Sequence, residues 1–300
     1  MIADGPRSVE ERIETEAVRK LVDRLIDWDC EVYKNYADKN RGVYQNIGEG
    51  AKWVLAKEER AVFLEDDNLP ETTFFDYCKS MLEKYVDDSR VLWICGTNYL
   101  ETFQPKNGAS YMFTQHLLPC GWATWSNKFR ASYDGQLEHL TDDSLRAIAD
   151  TYQDKRLFWQ DRDVVKKTER LLQQKSKMAS WDRQMLFSLR LHSQMGVSPS
   201  RNQIRNIGVD AISTHGGTSM RRTMTSRFCE IPTMPLSFPL RHPPSVLPDP
   251  DYERLVGKVI LYPWRTRILM KVTAFLKPLF GIDRYDSLAL IIKRRRDNSG

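Results

Sequence analysis

The amino-acid sequence predicts an α/β protein with a mostly parallel sheet that carries helices on both faces. Two short apolar runs, residues 61–64 and 90–95, are rich in branched and aromatic residues, as buried strands are. Segments with apolar residues at helical spacing lie before, between and after these runs, so helix and strand alternate along the chain. Such alternation is typical of a parallel sheet whose crossover connections are helices.

The elements of the N-terminal third follow from local signals. Ser8 and Glu11 form a capping-box pattern, which predicts a helix from there to about residue 27. Residues 31–33 are expected to form a short strand. Apolar residues at helical spacing then predict helices over about 43–56 and 71–85, on either side of the strand at 61–64.

The middle of the chain is less regular. Residues 111–113 are expected to form a strand, and the aromatic-rich stretch 121–125 is expected to be a loop that enters a helix. Two polar helices are predicted between about 141 and 174, and a further helix between about 180 and 192.

Proline content and charge divide the chain into three parts. Half of the prolines lie between Pro232 and Pro250, which predicts an extended segment over 231–251 after a compact domain at 1–230. Residues 252–300 are expected to form a basic amphipathic tail. The alternative is that its apolar residues Ile268, Leu269, Val272 and Phe275 pack back on the preceding domain. From residue 257 onward there are ten Lys and Arg against three Asp, a charge of +7, while residues 1–256 carry 35 against 37, or −2. A basic tail on a near-neutral body favours binding to an anionic membrane surface and argues against a nucleic-acid-binding protein.

Composition also bears on the cellular compartment. The five cysteines are widely spaced and form no C-x-x-C pair, which argues against a disulfide framework and a zinc site. The sequence starts without a signal-peptide pattern and contains no apolar stretch long enough to span a bilayer. We therefore expect a cytoplasmic protein, peripheral on the inner face of the cell membrane.

Three adjacent acidic residues, Glu65, Asp66 and Asp67, follow directly on the apolar run 61–64. An unpaired buried charge is costly, so the predicted strand must end there and present the acids at its carboxyl edge. Ligands bind at that edge in open α/β sheets, and clustered carboxylates there suit Mg²⁺ or Mn²⁺ shared with substrate phosphates. A solvated acidic turn before Pro70 is the alternative.

Several further segments accompany this triplet in a characteristic order. In chain order they are Asp4-Gly5-Pro6-Arg7, Asn40-Arg41-Gly42, Asn46-Ile47-Gly48, Glu65-Asp66-Asp67, Cys95-Gly96-Thr97-Asn98, Gly121-Trp122-Ala123-Thr124-Trp125, Ser180-Trp181-Asp182, and Asn206-Ile207-Gly208 followed by Thr214-His215. Over roughly residues 2–245 the set resembles a bacterial family of nucleotide-diphospho-sugar transferases with the A-type glycosyltransferase (Rossmann-like) fold. It is more distantly similar to the N-acetylglucosaminyltransferase that initiates complex N-glycans.

The resemblance implies where the diphosphate of the sugar donor binds. Asp67 matches the residue that binds the metal bridging the two phosphates of the donor. His215 lies where many such folds place a second metal or diphosphate contact. Glu65 and Asp66 match positions that contact the ribose or orient the loop. The implied cofactor is Mn²⁺ or Mg²⁺.

The resemblance also implies contacts to the base and the sugar. Asp4 matches a carboxylate that reads the nucleotide base, and Arg7 belongs to the same substrate-binding segment. The alternative for Asp4 is that it only starts the turn before the first helix. Gly121 and Trp122 match a loop beside the donor sugar and the acceptor, and the alternative for Trp122, Trp125 and Trp181 is a place in the core. The family carries a strand and a helix before the segment that matches Asp4, and the sequence from Met1 onward does not include them. Either the natural chain starts earlier than Met1, or this is a shortened form with an incomplete donor site.

Asp182 is the candidate catalytic base. An acceptor hydroxyl is a poor nucleophile, and a carboxylate within hydrogen-bond reach accelerates its attack by removing the proton. Asp182 lies at the start of a predicted helix, next to Trp181, whose ring could form an apolar wall for a sugar. Direct attack assisted by a base implies inversion at the anomeric carbon. A simple helix-capping role for Asp182 is the alternative.

The expected function is therefore a metal-dependent, inverting glycosyltransferase that acts on a glycan or a lipid-linked acceptor. A sugar nucleotidyltransferase is a second enzyme class, but it would need a glycine-rich phosphate loop near the N-terminus, which this sequence lacks. The non-enzymatic alternative is a catalytically degenerate fold that binds a partner or a membrane.

Overall fold

The computed structural model describes residues 1–209, 219–288 and 291, and in them helices surround a mixed β-sheet. The strands are β1 Ile2–Ala3, β2 Asn35–Tyr36, β3 Arg60–Phe63, β4 Asn68–Pro70, β5 Val91–Cys95, β6 Tyr111–Thr114, β7 Trp122–Trp125, β8 Met195–Pro199 and β9 Ile204–Asn206. The helices are α1 Val9–Leu25, α2 Glu49–Leu55, α3 Thr73–Lys84, α4 Ser126–Ser132, α5 Asp142–Ala149, α6 Lys155–Gln173, α7 Asp182–Leu191, α8 Thr223–Phe228, α9 Pro250–Ile260 and α10 Trp264–Leu276. A π-helical turn, Tyr44–Gly48, precedes α2.

The central sheet has the strand order β3–β7–β5–β8–β6. The pair β5–β8 is parallel, whereas β3–β7, β7–β5 and β8–β6 are antiparallel. The α/β class is confirmed, but the described strands do not show the predicted predominance of parallel pairing. The pairs β1–β2 (parallel) and β4–β9 (antiparallel) are separate from this sheet.

Side chains that alternate along the central strands bury both faces of the sheet. Trp93 and Trp122 lie on one face with the buried sides of α2, α4, α7 and α9. Ile94 and Ala123 lie on the other face with α3 and with Leu236. Helices therefore cover both faces, as the sequence predicts. The strands β5, β6 and β7 are buried on both of their sides, whereas β3 is only partly buried.

Three sequence-based assignments are wrong. The short strand lies at Asn35–Tyr36 rather than at 31–33. Residues 122–125 form β7, a strand between β3 and β5, rather than a loop. The compact structure continues past residue 251, because Tyr252 and Val256 on α9 are fully buried in the same core as Trp93. The proposed tail from residue 252 therefore begins inside packed structure.

Gly121 precedes β7 in a left-handed conformation with φ of 59°. A Cβ atom there would lie 2.5 Å from side-chain carbons of Ile204. We expect Gly121→Ala to lower the free energy of unfolding by about 2–4 kcal/mol, because backbone strain and overlap with Ile204 add together. Gly281→Ala is the matched control, since Gly281 has φ of 67° but no atom within 4 Å of its Cβ position. Urea denaturation of both variants measures the difference, and equal losses would contradict the packing argument.

Candidate functional site

The acidic triplet lies where the sequence places it, directly after the carboxyl end of β3 and before β4. Asp66 is exposed, whereas Glu65 and Asp67 are partly buried. The Asp67 carboxylate accepts hydrogen bonds from the side-chain amides of Asn68 (2.6 Å) and Asn206 (3.0 Å). The backbone N–H of Ile207 also donates to the Asp67 carbonyl oxygen at 2.8 Å. The end of β9 therefore holds Asp67 in place.

A cleft of about 360 Å³ brings the predicted residues together. Glu65 and Asp67 line it, and so do Trp181 and Asp182, which are more than a hundred positions later in the chain. Asp66, Gly121 and Trp122 do not line it. The main feature of this site is that two residues of the acidic triplet and Asp182 line the same cleft.

The carboxylates in the cleft lie in a strongly negative local environment. Burial, followed by the negative charges of Asp67, Asp182 and Asp66 in that order, raises the pKa of Glu65 to about 8. Burial also raises the pKa of Asp67, although hydrogen bonds from Asn206 and Asn68 oppose this shift. The site therefore favours either a bound proton or a bound cation.

This shift gives Glu65 a pH-dependent effect on stability. Its pKa in the folded state lies near 8, above the ordinary value of 4.5, so ionisation of Glu65 destabilises the folded chain as pH rises from about 5 to above 8. We expect Glu65→Gln to be more stable than the parent chain by about 2–4 kcal/mol at pH 8.5 and by less than about 1 kcal/mol at pH 5. Thermal unfolding at both pH values measures this, with Asp66→Asn in the exposed part of the triplet as the control. An equal gain in stability at both pH values would contradict a raised pKa for Glu65.

The donor chemistry of the cleft fits a divalent cation. Within residues 1–209, 219–288 and 291, no group of three or more His, Cys, Asp or Glu side chains is arranged to hold a metal ion. Mg²⁺ is commonly bound by only one or two carboxylates, with substrate phosphates and water as its other ligands. Asp67 and Glu65 offer two such carboxylates, and burial is the main cause that raises the pKa of each, with a smaller contribution from neighbouring negative charge.

Asp182 is the first residue of α7 and faces the same cleft. The N-cap position belongs to Trp181, so Asp182 does not occupy the capping position that the alternative interpretation requires. Within the described residues, the ion-pair partner of the Asp182 carboxylate is Arg183, whose Nε lies 3.5 Å from Oδ2. About a quarter of the Asp182 side chain is exposed, so a ligand in the cleft can reach it.

The aromatic residues beside the cleft have different positions. Trp181 lines the cleft and packs against Trp122, with ring centroids 5.4 Å apart. Trp122 itself is 1% exposed and stacks against Phe63 and Trp93 at 4.0 and 4.1 Å. The expectation that Trp122 contacts a sugar is therefore wrong, because its ring faces are covered by the core.

Gly121 also has a structural position rather than a ligand contact. It is buried, and its backbone N–H donates a hydrogen bond to Oδ1 of Asn68 at 2.7 Å. This bond links the start of β7 to the loop that carries the acidic triplet. The prediction that Gly121 touches substrate is not supported by its position.

Asp4 and Arg7 line a second, wider groove of about 900 Å³, which shares Val43 with the cleft. The carboxylate oxygens of Asp4 accept four hydrogen bonds of 2.7–3.0 Å, from the backbone N–H groups of Gly5, Arg41 and Gly42 and from the Asn40 amide. A carboxylate has about four acceptor sites, so all of them are used. Asp4 therefore shapes this loop, and the expectation that it reads a nucleotide base is wrong.

Arg7 and His215 are the remaining residues that the sequence analysis assigned to the site. Arg7 is exposed and pairs with Glu11 at 2.5 Å, so its substrate contact stays a prediction. His215 lies outside the described residues, together with the rest of residues 210–218.

The cleft also contains polar residues to which the sequence analysis gave no role. Arg183 and Asn206 line it, and so does Asp161 on α6, which is 4% exposed and has no hydrogen-bond partner at Oδ1 within the described residues. Asp161 lies four residues after Leu157 and four before Val165, both of which are buried. A carboxylate in the apolar stripe of a predicted helix is the signal that could have identified it.

Comparison with known proteins adds no identification. No family model matches the chain, and no curated protein is significantly similar to it.

Proposed function

We propose that the protein is a metal-dependent glycosyltransferase that moves a sugar from a nucleotide-diphosphate donor to a hydroxyl of a glycan or lipid-linked acceptor. The observation that carries the proposal is the single cleft in which Glu65 and Asp67, at the carboxyl end of a strand, meet Asp182 at the start of a helix. The A-type (Rossmann-like) fold belongs to this proposal, with the mixed sheet as its observed core.

In the proposed reaction, Asp182 accepts the proton of the acceptor hydroxyl while that oxygen attacks the anomeric carbon. The bond between this carbon and the diphosphate oxygen breaks, and its electron pair leaves with the nucleoside diphosphate. Attack from the face opposite the leaving group inverts the anomeric configuration. The ion pair with Arg183 would hold the Asp182 carboxylate in position, and Trp181 would border the sugar.

Asp67, with Glu65 beside it, would hold the divalent cation. When bound, that cation would supply Lewis-acid stabilisation of the charge that develops on the leaving diphosphate. Asn68 and Asn206 would keep Asp67 oriented through the hydrogen bonds that they donate to it.

The adjoining groove would receive the nucleotide. Its lining has four basic residues (Arg7, Arg12, Lys39 and Lys177) against two acidic ones (Asp4 and Glu11), and it meets the cleft at Val43. Positive charge next to an acidic, cation-binding cleft suits an anionic nucleotide that extends from one to the other.

Isothermal titration with UDP, GDP, CDP and ADP tests the proposal. We expect one or more of these nucleotides to bind in the presence of Mn²⁺ and to bind far more weakly in EDTA. No binding of any of them under either condition would contradict a nucleotide-diphosphate donor.

The second candidate function is a non-enzymatic binding module, and α1 favours it. None of the residues Val9–Leu25 is buried, and apolar side chains such as Val9 and Ile13 are more than 70% exposed. In the described residues, β3 pairs on one side only, with β7. An unpaired strand edge and an uncovered apolar helix each suit attachment of another polypeptide segment.

A further inference from the structure

The helix α10 (Trp264–Leu276) exposes the side that a helix of a globular protein normally buries. None of its residues is buried. Apolar side chains at helical spacing form one broad outward face, of which Phe275 is 74% and Leu269 66% exposed. Members of this face, called here the α10 apolar face, are Trp264, Ile268, Leu269, Val272, Phe275 and Leu276. The alternative that Ile268, Leu269, Val272 and Phe275 pack back on the catalytic domain is therefore wrong.

The side of α10 that is partly covered carries polar and small residues instead. Arg267, Thr273 and Ala274 are partly buried. The Arg267 Nε donates a hydrogen bond to the Tyr262 carbonyl oxygen at 3.1 Å, directly before the helix. An amphipathic helix normally turns its apolar stripe to the core, whereas the described residues leave the apolar face of α10 uncovered, so this face suits contact with an apolar surface.

The segment after α10 is tied to the body of the protein by polar contacts. Asp286 accepts hydrogen bonds from Arg170 on α6 and from Gln174 directly after it, each at 2.8 Å. The Lys277 ammonium donates to the carbonyl oxygens of Arg284 and Asp286 at 3.0 and 2.9 Å. The turn Lys277–Phe280 follows α10 directly and is held by these bonds of Lys277. Its residues Leu279 and Phe280 are both at least 70% exposed and extend the apolar surface.

The positive charge around this surface favours an apolar partner that is also anionic. Residues 254–282 contain six basic side chains and no acidic one, and the basic residues are Arg254, Lys258, Arg265, Arg267, Lys271 and Lys277. Arg265 and Lys271 are exposed on α10 itself. Each basic residue near an anionic lipid surface adds to binding, and basic residues flanking an apolar face with Trp and Phe are typical of helices that lie in a membrane interface.

The length of α10 fixes its orientation to a bilayer. Thirteen residues span about 20 Å, which is less than the apolar thickness of about 30 Å. Across residues 1–209, 219–288 and 291, no helix is both long and apolar enough to cross a membrane. A bilayer contact through α10 must therefore be parallel to the surface.

We propose that the α10 apolar face and the turn Lys277–Phe280 dock the protein on bilayers that contain anionic lipids. Ile260 and Tyr262 line the cleft, and α10 begins two residues later, so this contact would bring the cleft close to the lipid headgroups. Under the proposed function, the acceptor would then be lipid-linked. The docking itself does not depend on the reaction.

The test is co-sedimentation of the full chain with vesicles of phosphatidylcholine alone or mixed with phosphatidylglycerol. We expect strong partition onto the anionic vesicles, weakened by high salt. Leu269→Glu/Phe275→Glu should reduce that partition at least tenfold, since it removes apolar burial and adds negative charge. Arg265→Gln/Lys271→Gln should reduce it about tenfold at low salt and little at high salt. Truncation at residue 250 is unsuitable, because it removes the buried Tyr252 and Val256 from the core.

Ile13→Glu/Leu25→Glu is the matched control, because it changes two exposed apolar residues on another helix. It should partition within about twofold of the parent chain, and an equal loss in the control would overturn the assignment to α10. Unchanged partition of Leu269→Glu/Phe275→Glu, or no binding of the parent chain, would overturn it as well. A third contradicting result would come from analytical ultracentrifugation. It would be a dimer of the parent chain that Leu269→Glu/Phe275→Glu converts to a monomer, with no vesicle binding by either protein. Nucleotide titration of the same variants separates the two proposals, since docking can fail while nucleotide binding persists.

Discussion

Asp182→Asn should slow sugar transfer by about 10²–10⁴-fold while leaving nucleoside-diphosphate binding in Mn²⁺ unchanged. The amide has nearly the shape of the carboxylate but cannot accept the acceptor proton. Asp182 lines the cleft, is partly exposed and stands at the first position of α7. Its loss as a base should therefore lower kcat rather than donor affinity.

Asp142→Asn is the matched control for this substitution. Asp142 is also the first residue of a helix, α5, but its side chain is 80% exposed and it lies outside the cleft. It should transfer sugar at the parent rate. Near-normal turnover of Asp182→Asn would mean that Asp182 only supports the start of α7, and the inverting reaction would lose its base. Equal slowing in both variants would assign the effect to the helix terminus.

The sequence predicted elements best where local pattern and burial agree. Ser8 caps α1 through a hydrogen bond accepted from the Glu11 N–H, and the acidic triplet ends β3 because its charges cannot continue into the sheet. The strand β7 was misread because Gly121 and two tryptophans suggest a loop. What makes it a strand is pairing with β3 and β5, which lie about 60 and 30 residues earlier. Such long-range pairing leaves no local signal.

The strand directions could not be predicted for the same reason. Regular alternation in the N-terminal third suggested parallel crossovers, but the central neighbours β5 and β8 are about a hundred residues apart. The strands β6 and β7 enter between them in sequence and pair antiparallel to their neighbours. Short runs rich in Trp and Tyr are equally compatible with either direction.

The candidate site was partly predictable from the sequence. Carboxylates at a strand end and at a helix start both point to a sheet edge, and Asp67 and Asp182 do share one cleft. Asp4 and Trp122 were misassigned because their real partners, the loop 40–42 and the aromatic stack, are visible only in the folded chain. The outward face of α10 was likewise not visible in its sequence, since periodicity gives the stripe but not its direction.

Asp67→Ala should abolish Mn²⁺-dependent nucleotide binding, with a loss of at least about a hundredfold in affinity, while the fold is retained. Its carboxylate is the one that Asn68 and Asn206 hold in the cleft, so no neighbouring acid is oriented in the same way. Removal of the charge relieves repulsion with Glu65 and removes two hydrogen bonds, each worth about 0.5–1.5 kcal/mol, so the melting temperature should change little.

Titration of UDP, GDP, CDP and ADP in Mn²⁺ and in EDTA measures this effect. The parent chain in EDTA should match Asp67→Ala in Mn²⁺, because both lack the cation bridge to the diphosphate. Asp66→Ala is the matched control, since Asp66 belongs to the same triplet but is exposed and lies outside the cleft lining. It should bind nucleotide within a few-fold of the parent chain. If Asp67→Ala kept its affinity in Mn²⁺, the cation would have to be held elsewhere, and the acidic triplet would be a solvated turn after β3.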